Sequence, residues 1–255
     1  MELNFFTCGE GYPLVVLHGL FGSSDNWQTL SKKFGEHYRV FALDLRNHGS
    51  SPHEDRFDYP ALAADVREFL DAQQISEALV LGHSMGGKTA MQLAATWPER
   101  VKKLVVADIG IKGYPPHHTH ILHALSRLDL PRYANRSEMD QALAADLAEP
   151  ALRSFLLKNV TRDENGKFAW KNNLRAIREQ YENIIAALEL PTPFTGPTLF
   201  IRGSKSDYIL PEDETSIRSR FPNAQFAVME GAGHWLHAER PQEFFDVVMN
   251  FLRSP

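Results

Sequence analysis

The sequence predicts an α/β protein whose mostly parallel sheet is interrupted by a helical insertion. Three observations predict it. Short, wholly apolar runs such as Leu14–Leu17 and Leu104–Ala107 alternate with amphipathic stretches at helical spacing, the pattern of strands buried on both faces beneath crossover helices. The alternation stops near Gly110, gives way to helical spacing alone until about Pro193, and resumes at Thr198–Ile201. The stretch Ala78–Ala90 reads as an apolar strand, a glycine-rich turn and the start of a helix in one piece.

Taken in order, Leu3–Thr7 is predicted as an edge strand, Gly9–Pro13 as a turn, and Leu14–Leu17 as a buried strand entering the loop His18-Gly19-Leu20-Phe21-Gly22. Asp25–Phe34 is predicted helical, and Tyr38–Leu45 is a further strand running into Arg46-Asn47-His48-Gly49. Tyr59–Ala72 carries Leu62, Val66, Phe69 and Leu70 on one helical face. After the strand Ala78–Leu81, a helix is expected over Thr89–Trp97, stopped by Pro98, and then the strand Lys103–Ala107 ending at Asp108. Within the insertion, helices are expected around Ile121–Leu128, Ser137–Leu147, Pro150–Leu156 and Leu174–Leu188, with a hairpin at Val160–Trp170 turning on Asp163-Glu164-Asn165-Gly166. The closing elements are a strand at Thr198–Ile201, a helix near Pro211–Phe221, a strand at Gln225–Met229 and a helix opened by Pro241. The expected organisation is a core in two parts, 1–109 and 194–255, separated by a helical segment at 110–193.

Composition narrows the function. With 255 residues, 43% of them hydrophobic, the chain can bury a sizeable core. A formal net charge of −5 without a long basic run argues against nucleic acid or an anionic membrane surface as the main partner. The single cysteine, Cys8, excludes an intramolecular disulfide and a multi-cysteine metal site. No apolar run reaches membrane-spanning length and no leader pattern opens the chain, so stable membrane insertion is not expected and the expected location is cytoplasmic. No feature points to an oligomeric state.

Two motifs overlap in the central turn. Gly82-His83-Ser84-Met85-Gly86 fits G-x-S-x-G, a nucleophile elbow that exposes a serine hydroxyl between strand and helix. Gly82–Thr89 also fits G-x-x-x-x-G-K-[ST], a phosphate-cradling loop, and Leu104–Asp108 resembles the strand and aspartate that hold magnesium beside such loops. Phosphate cradles need small residues so that N–H groups can close on the anion, whereas His83 and Met85 crowd this turn. Only the elbow accounts for the glycine-bearing loop after the Leu14–Leu17 strand and for His234, which follows the last strand through Gly231-Ala232-Gly233. Ser84 is then the candidate nucleophile, His234 the candidate base, and the amides of Leu20 and Met85 the candidate oxyanion hole. Two carboxylates stand at suitable strand ends as the third member, Asp108 and Asp207.

The motifs His18-Gly19-Leu20-Phe21-Gly22-Ser23, Arg46-Asn47-His48-Gly49, Gly82–Lys88 and Gly231–Trp235, in this order, resemble those of the α/β-hydrolase superfamily, and within it the group of YbfF-type bacterial esterases and mitochondrial abhydrolase-domain esterases. The resemblance covers essentially the whole chain. It implies an eight-stranded, mostly parallel sheet with a helical cap inserted after the sixth strand, a small-molecule ester as substrate and no cofactor. It also carries the acid onto Asp108, with Asp207 the alternative. A serine at the elbow argues against haloalkane dehalogenases and epoxide hydrolases, which use aspartate there. The expected activity is that of a serine carboxylesterase acting on small to medium acyl esters through an acyl-enzyme. A thioesterase or perhydrolase on the same triad, or a non-catalytic ligand-binding member of the fold, are the alternatives, and the phosphate loop is the remote one.

Several other residues receive expected roles. Phe21, Trp170, Tyr208 and Trp235 are candidates to line the substrate pocket. Asp44, Arg46, His48 and Gly49 are expected to be architectural, and His237 exposed or structural. His117, His118, His120 and His123 show no ligand spacing with carboxylates or cysteines, so they are expected to be solvated and no metal is expected. Lys88 is expected to be a solvated or helix-supporting charge.

Overall fold

A computed structural model describes residues 1–254. The strands are β1 (Phe5–Cys8), β2 (Pro13–Leu17), β3 (Arg39–Leu43), β4 (Ala78–His83), β5 (Val101–Ala107), the hairpin β6 (Val160–Arg162) and β7 (Phe168–Trp170), β8 (Thr198–Gly203) and β9 (Ala224–Met229). The helices are α1 (Gln28–Phe34), α2 (Tyr59–Ala72), α3 (Met85–Thr96), α4 (Thr119–Arg127), α5 (Arg136–Leu143), α6 (Pro150–Leu157), α7 (Leu174–Glu179), α8 (Tyr181–Ile185), α9 (Asp213–Arg220), α10 (Leu236–Glu239) and α11 (Pro241–Arg253). None of them is long and apolar enough to cross a membrane, among the described residues.

The apolar strands are buried on both faces because their period of two sends alternate side chains into two separate cores. Val15, Leu17, Phe41, Val80 and Val106 pack with Val66 and Phe69 of α2 and Met91 of α3. Their neighbours Leu14, Val16, Val40, Leu79 and Val105 pack with Trp27, with Phe34 of α1 and with Phe244 and Val248 of α11. The main sheet has the order β1-β3-β2-β4-β5-β8-β9. It is parallel except for β1, which runs antiparallel to β3.

The sheet departs from the eight strands expected: among the described residues it has seven, so the long insertion follows the fifth strand rather than the sixth. The residues ahead of β1 do not turn back to pair. Leu3 is buried, and Asn4 is held by its side-chain amide on Asp44 at 2.7 Å and by its backbone N–H on Ser51 Oγ at 2.9 Å. Helix boundaries also differ from expectation. The stretch before α1 is a 3₁₀ turn at Ser24–Trp27. The Leu174–Leu188 helix is broken at Gln180 into α7 and α8, where Gln180 leaves the helical region (φ −108°, ψ 15°).

Between β5 and β8 the chain forms α4–α8 and the β6–β7 hairpin. Its two stems pair with each other through Tyr114 N–H to Ile185 O at 2.8 Å and Leu188 N–H to Ile111 O at 2.9 Å. It also meets loops at the carboxyl ends of β2 and β3: Asn159 Nδ2 donates to Phe21 O at 2.7 Å, and Asn173 N–H to Asn47 O at 3.0 Å. Lys88 is not solvated. Its side chain is buried, and its Nζ donates to Lys112 O at 2.8 Å and Ala186 O at 2.5 Å, one carbonyl on each stem.

The loop after β3 is built as expected of an architectural element. Asp44 accepts from the backbone N–H groups of Ser24 (2.7 Å) and Ser50 (2.9 Å), and Gly49 takes φ +58°, with a Cβ there falling 2.2 Å from the Asp44 carboxyl. Arg46 forks onto Asp65 of α2 through Nε at 2.5 Å and Nη2 at 2.7 Å, and its Nη1 donates to Arg56 O at 2.9 Å. Both side chains are almost wholly buried, at 10% and 3% exposure. Removing one partner leaves the other charge buried and unpaired. Asp65→Ala is therefore expected to lower the unfolding free energy by about 3–5 kcal/mol, and replacing Arg46 and Asp65 together by apolar residues to restore much of it, as read from urea denaturation.

Candidate active site

The site begins with a backbone that only this local sequence permits. Ser84, between β4 and α3, has φ 53° and ψ −120°, a conformation that non-glycine residues rarely adopt. The neighbouring glycines allow it by close approach. A Cβ on Gly82 would lie 2.2 Å from Gly86 O, and one on Gly86 2.3 Å from Leu17 O. The phosphate-loop reading does not fit this arrangement, since α3 is under way at Met85 and the Lys88 amine is turned to two backbone carbonyls.

Ser84 Oγ lies 3.1 Å from His234 Nε2, and His234 Nδ1 lies 2.8 Å from Asp108 Oδ2. His234 comes from the loop between β9 and α10; Asp108 directly follows β5 and has φ 52°. Asp108 is fully buried, and it also accepts from Gly203 N–H on Oδ1 at 3.1 Å and from the Ser206 hydroxyl on Oδ2. Asp207, the alternative carboxylate, is exposed in the same β8 loop, and its neighbour Ser206, not Asp207 itself, reaches the row. The loop Gly19–Gly22 is fixed from two sides. Phe21 N–H donates to His48 Nε2 at 3.2 Å and Gly22 N–H to Gly19 O at 2.9 Å. Met85 N–H is in the first turn of α3, where helix donors have no acceptor within the helix.

Two chambers open on either side of Ser84. The larger is lined by Phe21, Trp27, Ile121, Leu152, Phe155, His234 and Trp235. The smaller is lined by Tyr59, Met85, Ile109, Tyr114, Ile184, Ile185 and Tyr208. Leu20, Ser84 and His118 border both. Tyr208 also stacks on the His234 ring, with centroids 3.9 Å apart. Of the aromatic residues expected in the pocket, Trp170 is misplaced: it sits in the hairpin, paired with Val160 across β6–β7, outside both chambers.

Three histidines depart from, or go beyond, the sequence reading. His118 is not solvated like His117, His120 and His123. It borders both chambers and its Nδ1 lies 2.9 Å from the Tyr181 hydroxyl. Its position near a helix start concealed this, because only the tertiary fold brings Tyr181 over it. His83 was read only as bulk in the turn, yet its Nε2 is 2.8 Å from His234 O, so it braces the loop carrying the candidate base. The spacing of one residue from Ser84 was the only signal available. His237 is buried, stacked on Trp27 at 4.4 Å. Among the described residues, no group of three or more His, Cys, Asp or Glu side chains stands close enough to hold a metal ion.

The chain matches the family model described as the alpha/beta hydrolase fold over residues 12–241. It is 40% identical over 254 residues to an sn-1-specific diacylglycerol lipase, ABHD11, of Xenopus laevis, a match that spans 96% of this chain and 80% of the relative. It is 35% identical over 243 residues to esterase YbfF of Escherichia coli K12, spanning 95% of this chain and 93% of the relative. Among solved structures, a marine microorganism esterase superposes with a TM-score of 0.96 at 40% identity, covering 98% of this chain and 99% of that one.

The buried histidines make the site's surroundings acid-sensitive. Burial, reinforced by neighbouring histidines, holds His48 and His237 down to about 3, and burial holds His118 down to about 4. For His237 the ordinary value is 6.5, so below that pH the unfolded chain takes up a proton that the folded one refuses. Its contribution to stability is complete above pH 6.5 and is lost progressively as the pH falls towards about 3. His237→Phe keeps a ring against Trp27 and removes the titration. Between about pH 6 and pH 4 its unfolding free energy is expected to fall less steeply than that of the parent, by up to about 1.4 kcal/mol per pH unit, measured from urea midpoints. Parallel slopes for the two proteins would show that the folded state protonates His237 freely.

Proposed function

The chain belongs to the α/β-hydrolase family, and we propose that it is a serine carboxylesterase that cleaves small to medium acyl esters through an acyl-enzyme. The observation that carries this reading is the continuous hydrogen-bonded row from Ser84 Oγ through the His234 ring to the buried Asp108 carboxylate. Names of the relatives point the same way, as esterases and a lipase.

In this reading His234 Nε2 removes the Ser84 proton as Oγ bonds to the ester carbonyl carbon, and Asp108 holds the tautomer that leaves Nε2 free to accept it. The negative charge that develops on the carbonyl oxygen is met by the Met85 amide and by that of Leu20, whose neighbours Phe21 and Gly22 already donate elsewhere. The tetrahedral intermediate collapses as the carbon–oxygen bond to the alcohol breaks, and His234 passes its proton to that oxygen. Water then repeats the sequence on the acyl-Ser84 ester, with His234 again taking and returning a proton, and the carboxylic acid leaves. The segment between β5 and β8 acts as a cap, since residues of α4 and α6 wall one chamber and residues of α8 the other.

A fluorophosphonate probe is expected to label Ser84 in the folded protein and to leave Ser84→Ala unlabelled. Absence of labelling in the parent would end the serine-hydrolase reading. On a chromogenic butyrate ester, Asp108→Asn is expected to lower kcat by about 10⁴-fold, because the wrong tautomer of His234 is then favoured. Asp207→Asn is expected to change it little, and the reverse ranking would move the acid to Asp207. The thioester of the same acyl group, run beside the oxoester, ranks the two leaving groups directly.

A further inference from the structure

The two chambers that meet at Ser84 differ in one respect that bears on the chemistry. The proton that His234 receives from Ser84 has to be delivered to the departing alcohol oxygen, so the alcohol half of the ester must occupy space that His234 borders. His234 borders the larger chamber, next to Trp235 and Phe155. The smaller chamber borders Ser84 and Met85 but not His234. Resting on the esterase reading above, we infer that the smaller chamber receives the acyl chain and that Tyr59 in its wall limits the length of acyl chain accepted.

One wall of that chamber is made of fixed groups. Tyr59 is 4% exposed, and its hydroxyl donates to Ile184 O at 2.7 Å, which latches the first turn of α2 to α8. Behind the wall lies the Lys88 amine, 5.5 Å from the Tyr59 ring centre and 4.9 Å from that of Tyr114. The amine is held on Lys112 O and Ala186 O. A longer chain would have to break the phenol's hydrogen bond and then lay methylenes against a buried, hydrogen-bonded amine, which offers apolar carbon nothing. Ile109, Ile184 and Ile185 give the chamber an aliphatic stretch that suits an acyl chain, beside Tyr114, Tyr208 and two histidines. The larger chamber, which His234 borders, takes the alcohol half.

The test is kcat/KM on 4-nitrophenyl acetate, butyrate, octanoate and laurate. A single methylene against a filled apolar pocket is worth about tenfold or more, so the parent is expected to peak at acetate or butyrate and to lose at least about tenfold by octanoate. Tyr59→Ala is expected to raise the laurate-to-butyrate ratio by about tenfold or more, and Tyr59→Phe, which keeps the wall, to leave the ratio low. Ile185→Ala, at a half-buried position on the edge of the core, lengthens the accepted chain in the same direction and serves if Tyr59→Ala does not fold. Phe155→Ala, in the other chamber, is expected to leave the acyl-length ratio where it was. A parent that turns over laurate as well as butyrate, or a chain-length shift in Phe155→Ala and not in the Tyr59 or Ile185 variants, would overturn the assignment while leaving the esterase intact. No turnover of any ester together with an unlabelled Ser84 would remove the esterase itself, and the assignment with it.

Discussion

A serine held at φ 53° between β4 and α3 is the constraint on which the site depends. Such a backbone costs on the order of 1–3 kcal/mol and persists only where its surroundings over-determine it. Here they do. Ser84 N–H is held on Ala107 O at 3.0 Å, and Lys88 N–H closes the first turn onto Ser84 O at 3.0 Å. Gly82 and Gly86 let the helix press against β4 and β2 with no side chain between them. The same Ala107 that anchors the turn is followed at once by Asp108, so one strand end fixes the height of both the serine and the carboxylate. The mutual register of β4 and β5, with His83 opposite Ala107, is therefore already part of the site.

Around this turn the protein uses neutral imidazoles as rigid connectors. His18 Nε2 accepts from Leu45 N–H at 3.0 Å, His48 Nε2 from Phe21 N–H at 3.2 Å, and His83 sits 2.8 Å from the carbonyl of His234. Burial lowers all three from their ordinary value, and an uncharged ring can both donate and accept, which a protonated one cannot. Each thus joins two strand-end loops. His234 differs in keeping 20% of its side chain exposed, on the side where a substrate would approach.

Much of the fold was legible in the sequence because its apolar strands are short, uninterrupted and separated by helical spacing, which leaves few alternatives to a covered parallel sheet. The elbow was legible for a related reason: two glycines flanking a serine after an apolar strand answer a steric need that few other structures share. Lys88, expected to be a solvated or helix-supporting charge, is instead buried, and this escaped the sequence because its carbonyl partners lie 24 and 98 residues away. His118 and Trp170 were misjudged for the complementary reason. Both belong to the segment between β5 and β8, whose amphipathic pattern marks what is buried without saying against what. The choice between Asp108 and Asp207 lay beyond spacing altogether, since both follow strand ends; only the resemblance to a family separated them, and in the folded chain one carboxylate is buried on His234 and the other faces solvent.

The pairing of Lys112 and Ala186 beneath a single amine has an architectural corollary. The chain leaves the core near Gly110 and returns near Pro193, and the two stems of the excursion are drawn together at Lys88, on the helix that follows the serine, while Asn159, Asn173 and Ile184 fasten it to the core further out. A change in the outboard helices therefore reaches the site by two routes, through the stems at Lys88 and through Asn159 and Asn173, which grip the loops beside the serine.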